Sequence, residues 1–165
     1  MTNFVLILIP FIYAVSIRFS SMKYFGSILD FTKQRNEDLM RVYHQKLVEA
    51  HFIVKPKIFK LVAESPASRF WVSEERAAVV VSAILSGNED WDLLRKHRSV
   101  FRMRANKREM FLEIARRVRE LQEEFPDKTI YDLTSIVVNQ PAPKFYLSAR
   151  TVGEFIYRIK NGFYK

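Results

Sequence analysis

The segment from Pro66 to Gly87, PASRFWVSEERAAVVVSAILSG, aligns without a gap on Pro141 to Gly162, PAPKFYLSARTVGEFIYRIKNG, at the constant offset that carries Pro66 onto Pro141. Six pairs are identical: Pro66/Pro141, Ala67/Ala142, Phe70/Phe145, Ser73/Ser148, Ile84/Ile159 and Gly87/Gly162. Arg69/Lys144, Trp71/Tyr146 and Val72/Leu147 keep their chemistry. A chain that repeats these residues in one register asks for the same local structure twice. Proline ends a short helix, phenylalanine enters the core, serine caps the next helix and glycine stops it. Each identical position therefore has a structural role open to it, and the repeat speaks for a fold before it speaks for a chemistry.

The flanking pattern is helical, because apolar residues return every three or four positions and long alternating runs are absent. A first helix is expected from about Asn36 to Phe52, on a stripe of Leu39, Tyr43, Leu47 and Ala50. Pro56 opens a shorter one, at a position where its missing N–H costs nothing, and Pro66 ends it. Ser73 caps a third helix, whose first turn holds Glu74 and Glu75 at the favourable end of the dipole, and Gly87 stops it. The order then recurs. Asn106, with Glu109 three residues on as a capping box, opens a helix to about Glu124, and a short helix runs from Thr129 to Asn139. A last helix lies between Ser148 and Gly162. The expected fold is all-α, two tandem tri-helical, helix-turn-helix-like units with short extended aromatic turns. Its divisions are an apolar leader 1–21, a first helical unit 22–90, a basic connector 91–107 and a second helical unit 108–165. One departure from helix-turn-helix geometry is the eight-residue turn, where three or four residues are usual.

The paired P-A-x-[RK]-F-[WY]-[VL]-S segments resemble those of a family of small, basic, uncharacterised bacterial proteins, over roughly Asn36 to Gly162. The resemblance carries no activity, cofactor or catalytic residue with it.

Composition narrows the function classes. With 48% hydrophobic residues, most of the 165-residue chain should fold. Four glycines form no phosphate-cradling motif, and the absence of cysteine excludes disulfides, thiol catalysis and Cys-ligated metals. His44 and His51, seven apart on one helix, are about 10 Å apart along it and cannot share a metal, and His97 stands alone. Asp90, Asp92, Asp127 and Asp132 are scattered, so neither a metal site nor a cofactor is expected, and no catalytic residue is assigned. Ser73 and Ser148 serve better as caps than as nucleophiles.

The apolar run from Phe4 to Ile17, interrupted by Pro10, is about 21 Å long as a helix against a hydrocarbon core of about 30 Å. It reads as upstream translated sequence ahead of a start at Met22, as a signal, as an anchor or, least of these, as a packed N-terminal helix. Cytoplasmic location goes with the first reading and inner-membrane tethering with the anchor.

The formal net charge is +9. Up to Asp90 there are 11 basic and 9 acidic residues, and beyond it 16 and 9, so the second half carries +7 of the excess. Arg95, Lys96, Arg98, Arg102, Arg104, Lys107 and Arg108 place seven cations in fourteen residues without an acid. Such a block repels itself unless an anion lies close, and phosphate is the natural one. Lys107 and Arg108 begin a helix that Glu123 and Glu124 end, opposite to the dipole's preference by about 0.3–1 kcal/mol per charge. Cations beside free N–H groups suit a phosphate. Glu113/Arg117, Arg116/Glu120 and Arg119/Glu123 read instead as a solvated, self-paired face. On the last helix Val152, Phe155, Ile156 and Ile159 form the buried stripe, and Arg150, Arg158 and Asn161 lie opposite, able to bond base edges. Lys144 adds a cation to the aromatic turn. If Phe70 and Phe145 face inward, alternation turns Trp71 and Tyr146 outward, where they could stack on bases.

The expectation is a non-catalytic nucleic-acid-binding protein, with duplex DNA the favoured partner. About six neutralised phosphates would give a log–log salt slope near −5. The alternative is a helical protein-interaction module, with a protein partner on the first unit and a membrane partner only if residues 1–21 are retained.

Overall fold

The computed structural model describes residues 28–96 and 99–163; residues 1–27, which include the apolar run and Met22, and residues 97–98 and 164–165 lie outside the described residues. The chain is mostly helical, as its periodicity predicts. In order it forms α1 (Ile28–Glu49), α2 (Lys55–Glu64), α3 (Glu74–Leu85), β1 (Leu93–Lys96), β2 (Ser99–Arg102), α4 (Ala105–Glu124), α5 (Ile130–Val138) and α6 (Ala149–Lys160). Shifted by the offset of the sequence repeat, the bounds of α1 to α3 fall within two residues of those of α4 to α6. Among the described residues no helix is long and apolar enough to cross a membrane.

The local signals act as their chemistry requires. The Ser73 hydroxyl accepts the Arg76 N–H at 3.3 Å, and the Ser148 hydroxyl accepts that of Thr151 at 3.1 Å. Gly87 and Gly162 take φ of +74° and +72°, the left-handed turn that ends a helix and that a Cβ disfavours. Phe70 and Phe145 are buried in one core with Leu39, Val62, Val81, Phe111, Ile114, Val118, Leu133 and Val152.

Two boundaries differ from expectation. α1 starts at Ile28, eight residues before Asn36, and ends at Glu49. α4 starts at Ala105, so Asn106 lies inside the helix, and its N-cap is Arg104, which makes no side-chain cap bond. The expected Asn106–Glu109 capping box is therefore replaced. Met103, whose amide donates to the Asp92 carbonyl at 2.8 Å, ties the incoming chain down before Asn106 is reached, and Glu109 pairs with Lys144 instead.

The last helix of each half packs away from the two helices that precede it. α3 packs on α4 and α5, and α6 packs on α1 and α2, while among the described residues neither touches the first two helices of its own half. The reason lies in the two extended segments that precede α3 and α6. They run antiparallel past each other at an isolated bridge, where Ala67 and Ala142 each donate a backbone N–H to the other's carbonyl at 3.0 Å. The Phe70 amide reaches across to the Val138 carbonyl, and the Phe145 amide to the Ala63 carbonyl. Each segment thus carries its chain over to the opposite half. The turn expected to exceed helix-turn-helix length is this crossing, which runs over 65–73 in one half and 139–148 in the other. At the α2–α6 contact the fit is close: a Cβ on Gly153 would lie 2.9 Å from the Phe59 ring.

Candidate nucleic-acid interface

The basic connector is a hairpin. β1 and β2 pair antiparallel, with Leu93 opposite Arg102 and Lys96 opposite Ser99. Trp91 and Leu94 pack against the core, Met103 is buried beside them, and Phe101 remains 48% exposed. The four-residue strands are too short, and too cationic, to show a convincing period of two in the sequence.

Asp92, buried to 1% exposure, fastens this ribbon to α4. Its carboxylate pairs with the Arg102 guanidinium at 2.8 Å from the end of β2 and with that of Arg108 at 2.9 Å from the first turn of α4. An aspartate so buried needs that counter-charge, because unpaired it would carry the full cost of leaving water. In the sequence Asp92 looks like one of several scattered acids, yet its place three residues before the cationic run is a usable signal. Arg102 and Arg108 are thus structural ion-pair partners as well as surface cations. Arg104 and Lys107 are exposed and make no ion pair among the described residues. Arg95 and Lys96 occupy β1, and Arg98 lies outside the described residues.

The remaining expected contacts are dispersed. Lys144 pairs with Glu109 of α4 and lies 5.3 Å from the Tyr146 ring centre. Arg150 pairs with Glu154 at 3.0 Å. Asn161 donates from its side chain to the Tyr157 carbonyl at 2.8 Å, which uses its amide to end α6. Arg158 is exposed on the same helix. Since α6 packs on α1 and α2, its outer face belongs to a different helix group from the ribbon and α4.

The outward aromatics need correction. Tyr146 is 6% exposed, beside a buried Phe145, and so offers no face for a base. Its φ of +54° breaks the two-residue alternation and turns both rings inward. That conformation costs a non-glycine residue about 1–3 kcal/mol, offset here by packing against Phe70 at 6.0 Å with the rings 19° from parallel. Burial, with Glu113 and Glu109 close by, pushes its phenol up to about 12. Trp71 is half-buried and also occupied. Its indole N–H donates to Asp38 at 3.1 Å, Phe31 meets its ring edge-on at 5.4 Å, and the Arg69 guanidinium lies 5.8 Å from its centre. Asp38 additionally accepts the Ser68 amide and hydroxyl and the Arg41 guanidinium. Burial opposes its ionisation, but these donors outweigh it and hold the carboxyl below its ordinary value.

The paired face of α4 is more than a solvated one. Arg116 bonds Glu113 and Glu120, as helix spacing allows. Arg117 pairs with Glu113 at 2.8 Å and also donates to the Pro141 carbonyl at 3.1 Å, with its guanidinium 5.1 Å from the Phe70 ring centre. These arginines hold the Glu113 carboxyl below its ordinary value. Among the described residues no three acidic or histidine side chains are placed to hold a metal ion.

Comparison of the chain with protein-family models, with curated proteins and with solved structures finds no match. The functional reading therefore rests on the geometry alone.

Proposed function

We propose that the protein binds nucleic acid without catalysis, most naturally duplex DNA, and that the β1–β2 ribbon with the first turn of α4 is its binding element. The observation that supports this is the Asp92 clamp, which holds a cationic ribbon against a cationic helix start, with Arg104 and Lys107 exposed beside it. A two-stranded ribbon has the width of a major groove, and cations that need not move to meet phosphates bind them at lower entropic cost. The ribbon displaces α6 as the reading element, because Arg150 and Asn161 are engaged within their own helix. We include in this reading that the two halves are copies of one unit, supported by the common offset of their helix bounds.

With two of the seven cations committed to Asp92, at most five neutralise phosphates, and the log–log salt slope becomes about −4.5. Gel-shift titration of duplex DNA at several salt concentrations tests the reading. Arg104→Glu with Lys107→Glu, both exposed, should weaken binding more than tenfold and reduce the slope by about 2. Affinity and slope that do not change in this variant overturn it. Arg102 and Arg108 are unsuitable reporters, since their loss unfastens the ribbon.

A second reading has its own observation. Val48, Phe52, Ile53 and Leu61, at the corner between α1 and α2, are 87%, 86%, 65% and 48% exposed. Large apolar side chains so grouped favour a protein partner. Phe52→Ser with Ile53→Ser would abolish such an association and leave DNA binding intact.

A further inference from the structure

The corner between α1 and α2 has a shape that narrows what can cover it. His51 to Lys57, seven successive residues, are all exposed. Three of them, Phe52, Ile53 and Val54, are large and apolar. Val54 is extended, with φ of −108° and ψ of 99°, so neighbouring side chains point apart, and both sides of the chain stand in solvent. The corner is a ridge and not a face. A protein that lays one surface against it covers one side of the ridge, whereas a fluid layer of lipid closes around all of it.

The charge around the ridge is equally selective. Between Glu49 and Glu64 the chain has three lysines and no acidic residue. Lys55 and Lys57 are exposed and make no ion pair among the described residues, while Lys60 is 3.8 Å from the exposed Glu64, a pair that water screens. Lys55 and Lys57 stand in the first turn of α2, where no acid balances them and Val54 makes no side-chain cap bond. α3 starts the opposite way, with Glu74 and Glu75 behind the Ser73 cap. Apolar side chains at a tip, with cations just behind them, match the two layers of a membrane surface, acyl chains below and phosphates above.

We infer that this corner docks the folded chain on an anionic lipid bilayer, with Phe52, Ile53 and Val54 entering the interface and Lys55 and Lys57 meeting lipid phosphates. Lipid thus takes the place of the protein partner of the second reading. The contact depends neither on the proposed DNA-binding ribbon nor on residues 1–21.

The chain has no cysteine, so Ile53→Cys gives the tip a unique attachment point for an environment-sensitive nitrobenzoxadiazole dye. The labelled full chain is titrated with vesicles of phosphatidylcholine and phosphatidylserine in equal parts. Saturable brightening of the dye is expected, and nitroxide-bearing lipids should quench it. Each lysine near such a surface is worth about fivefold in affinity, so Lys55→Glu with Lys57→Glu should weaken the response by about 25-fold or more. Acids in a first helical turn suit the dipole, so these substitutions keep α2 in place. Vesicles of phosphatidylcholine alone should bind the tip as weakly. A dye that does not brighten, even if the chain pellets with the vesicles, overturns the inference, as does equal brightening without phosphatidylserine. Brightening that grows with chain concentration in the absence of lipid overturns it too, by giving the corner to a second copy.

Discussion

Ala67 and Ala142 exchange two backbone hydrogen bonds, N–H to carbonyl in each direction at 3.0 Å, and they hold the same position in the two copies of the repeated segment. This reciprocal bonding fixes the two extended segments in an antiparallel crossing. Around it α3 and α6 pass to opposite sides, so that each completes the three-helix group of the other half.

Because of that exchange, neither half can lose its core alone. Denaturant unfolding is expected as one transition, with the fluorescence of Trp71 and Trp91 and helical circular dichroism coinciding. Phe70→Ala and Phe145→Ala, each in the shared core, should both lower stability by about 3–5 kcal/mol while leaving the transition single. Separate transitions for the two probes would contradict this packing.

The Asp92 clamp can be weighed by removing its partners. Arg102→Ala with Arg108→Ala leaves a carboxylate at 1% exposure without a counter-charge, and stability should fall by about 3 kcal/mol. Adding Asp92→Asn should restore part of the loss, because the buried charge is then gone. Urea titration of the double and triple variants measures both. A triple variant less stable than the double one would show that Asp92 is not paired in this way.

Ser73 and Ser148 make the same cap bond in corresponding places. Alanine at either should cost about 1 kcal/mol, and the two losses should add in the double variant, since each cap satisfies its own helix start. Thermal melts of the three variants give the comparison.

Tyr146 gives the chain an alkaline weak point. Its phenol is pushed up from 10.0 to about 12, so the folded state keeps the proton after the unfolded state has lost it. With respect to this group the folded state is therefore most stable below pH 10. Between pH 10 and about 12 the folded state binds more protons than the unfolded one, so stability falls as pH rises through that window. Ultraviolet titration should show one tyrosine ionising near the top of it, and Tyr146→Phe should remove both that step and the corresponding part of the alkaline stability loss.

Much of the helical order is legible in the residues. The caps at Ser73 and Ser148, the stops at Gly87 and Gly162, and the short helix opened near Pro56 follow from chemistry acting over three or four positions. The candidate interface is legible only as a charge block. Its hairpin leaves no clear pattern because four-residue strands have too few positions to establish an alternation. Its anchor leaves only a weak one, an acid three residues ahead of the cationic run, because an aspartate's burial depends on arginines ten and sixteen residues away. Asn106 reads as a cap from its neighbours, but the tie between Met103 and Asp92, absent from any local pattern, starts α4 earlier.

Local chemistry written in the chain sets which segments become helices, where most of them stop, and that two matching stretches ask for the same turn. Packing alone settles that the turns cross and trade their final helices, that Asp92 binds the ribbon to α4, and that Tyr146 turns inward where alternation would send it out. The physical division is one of range. Propensity, capping and glycine stops depend on near neighbours, whereas the crossing at Ala67 and Ala142, the pairing of a buried charge and the strain held at Tyr146 depend on partners that only the folded chain brings together.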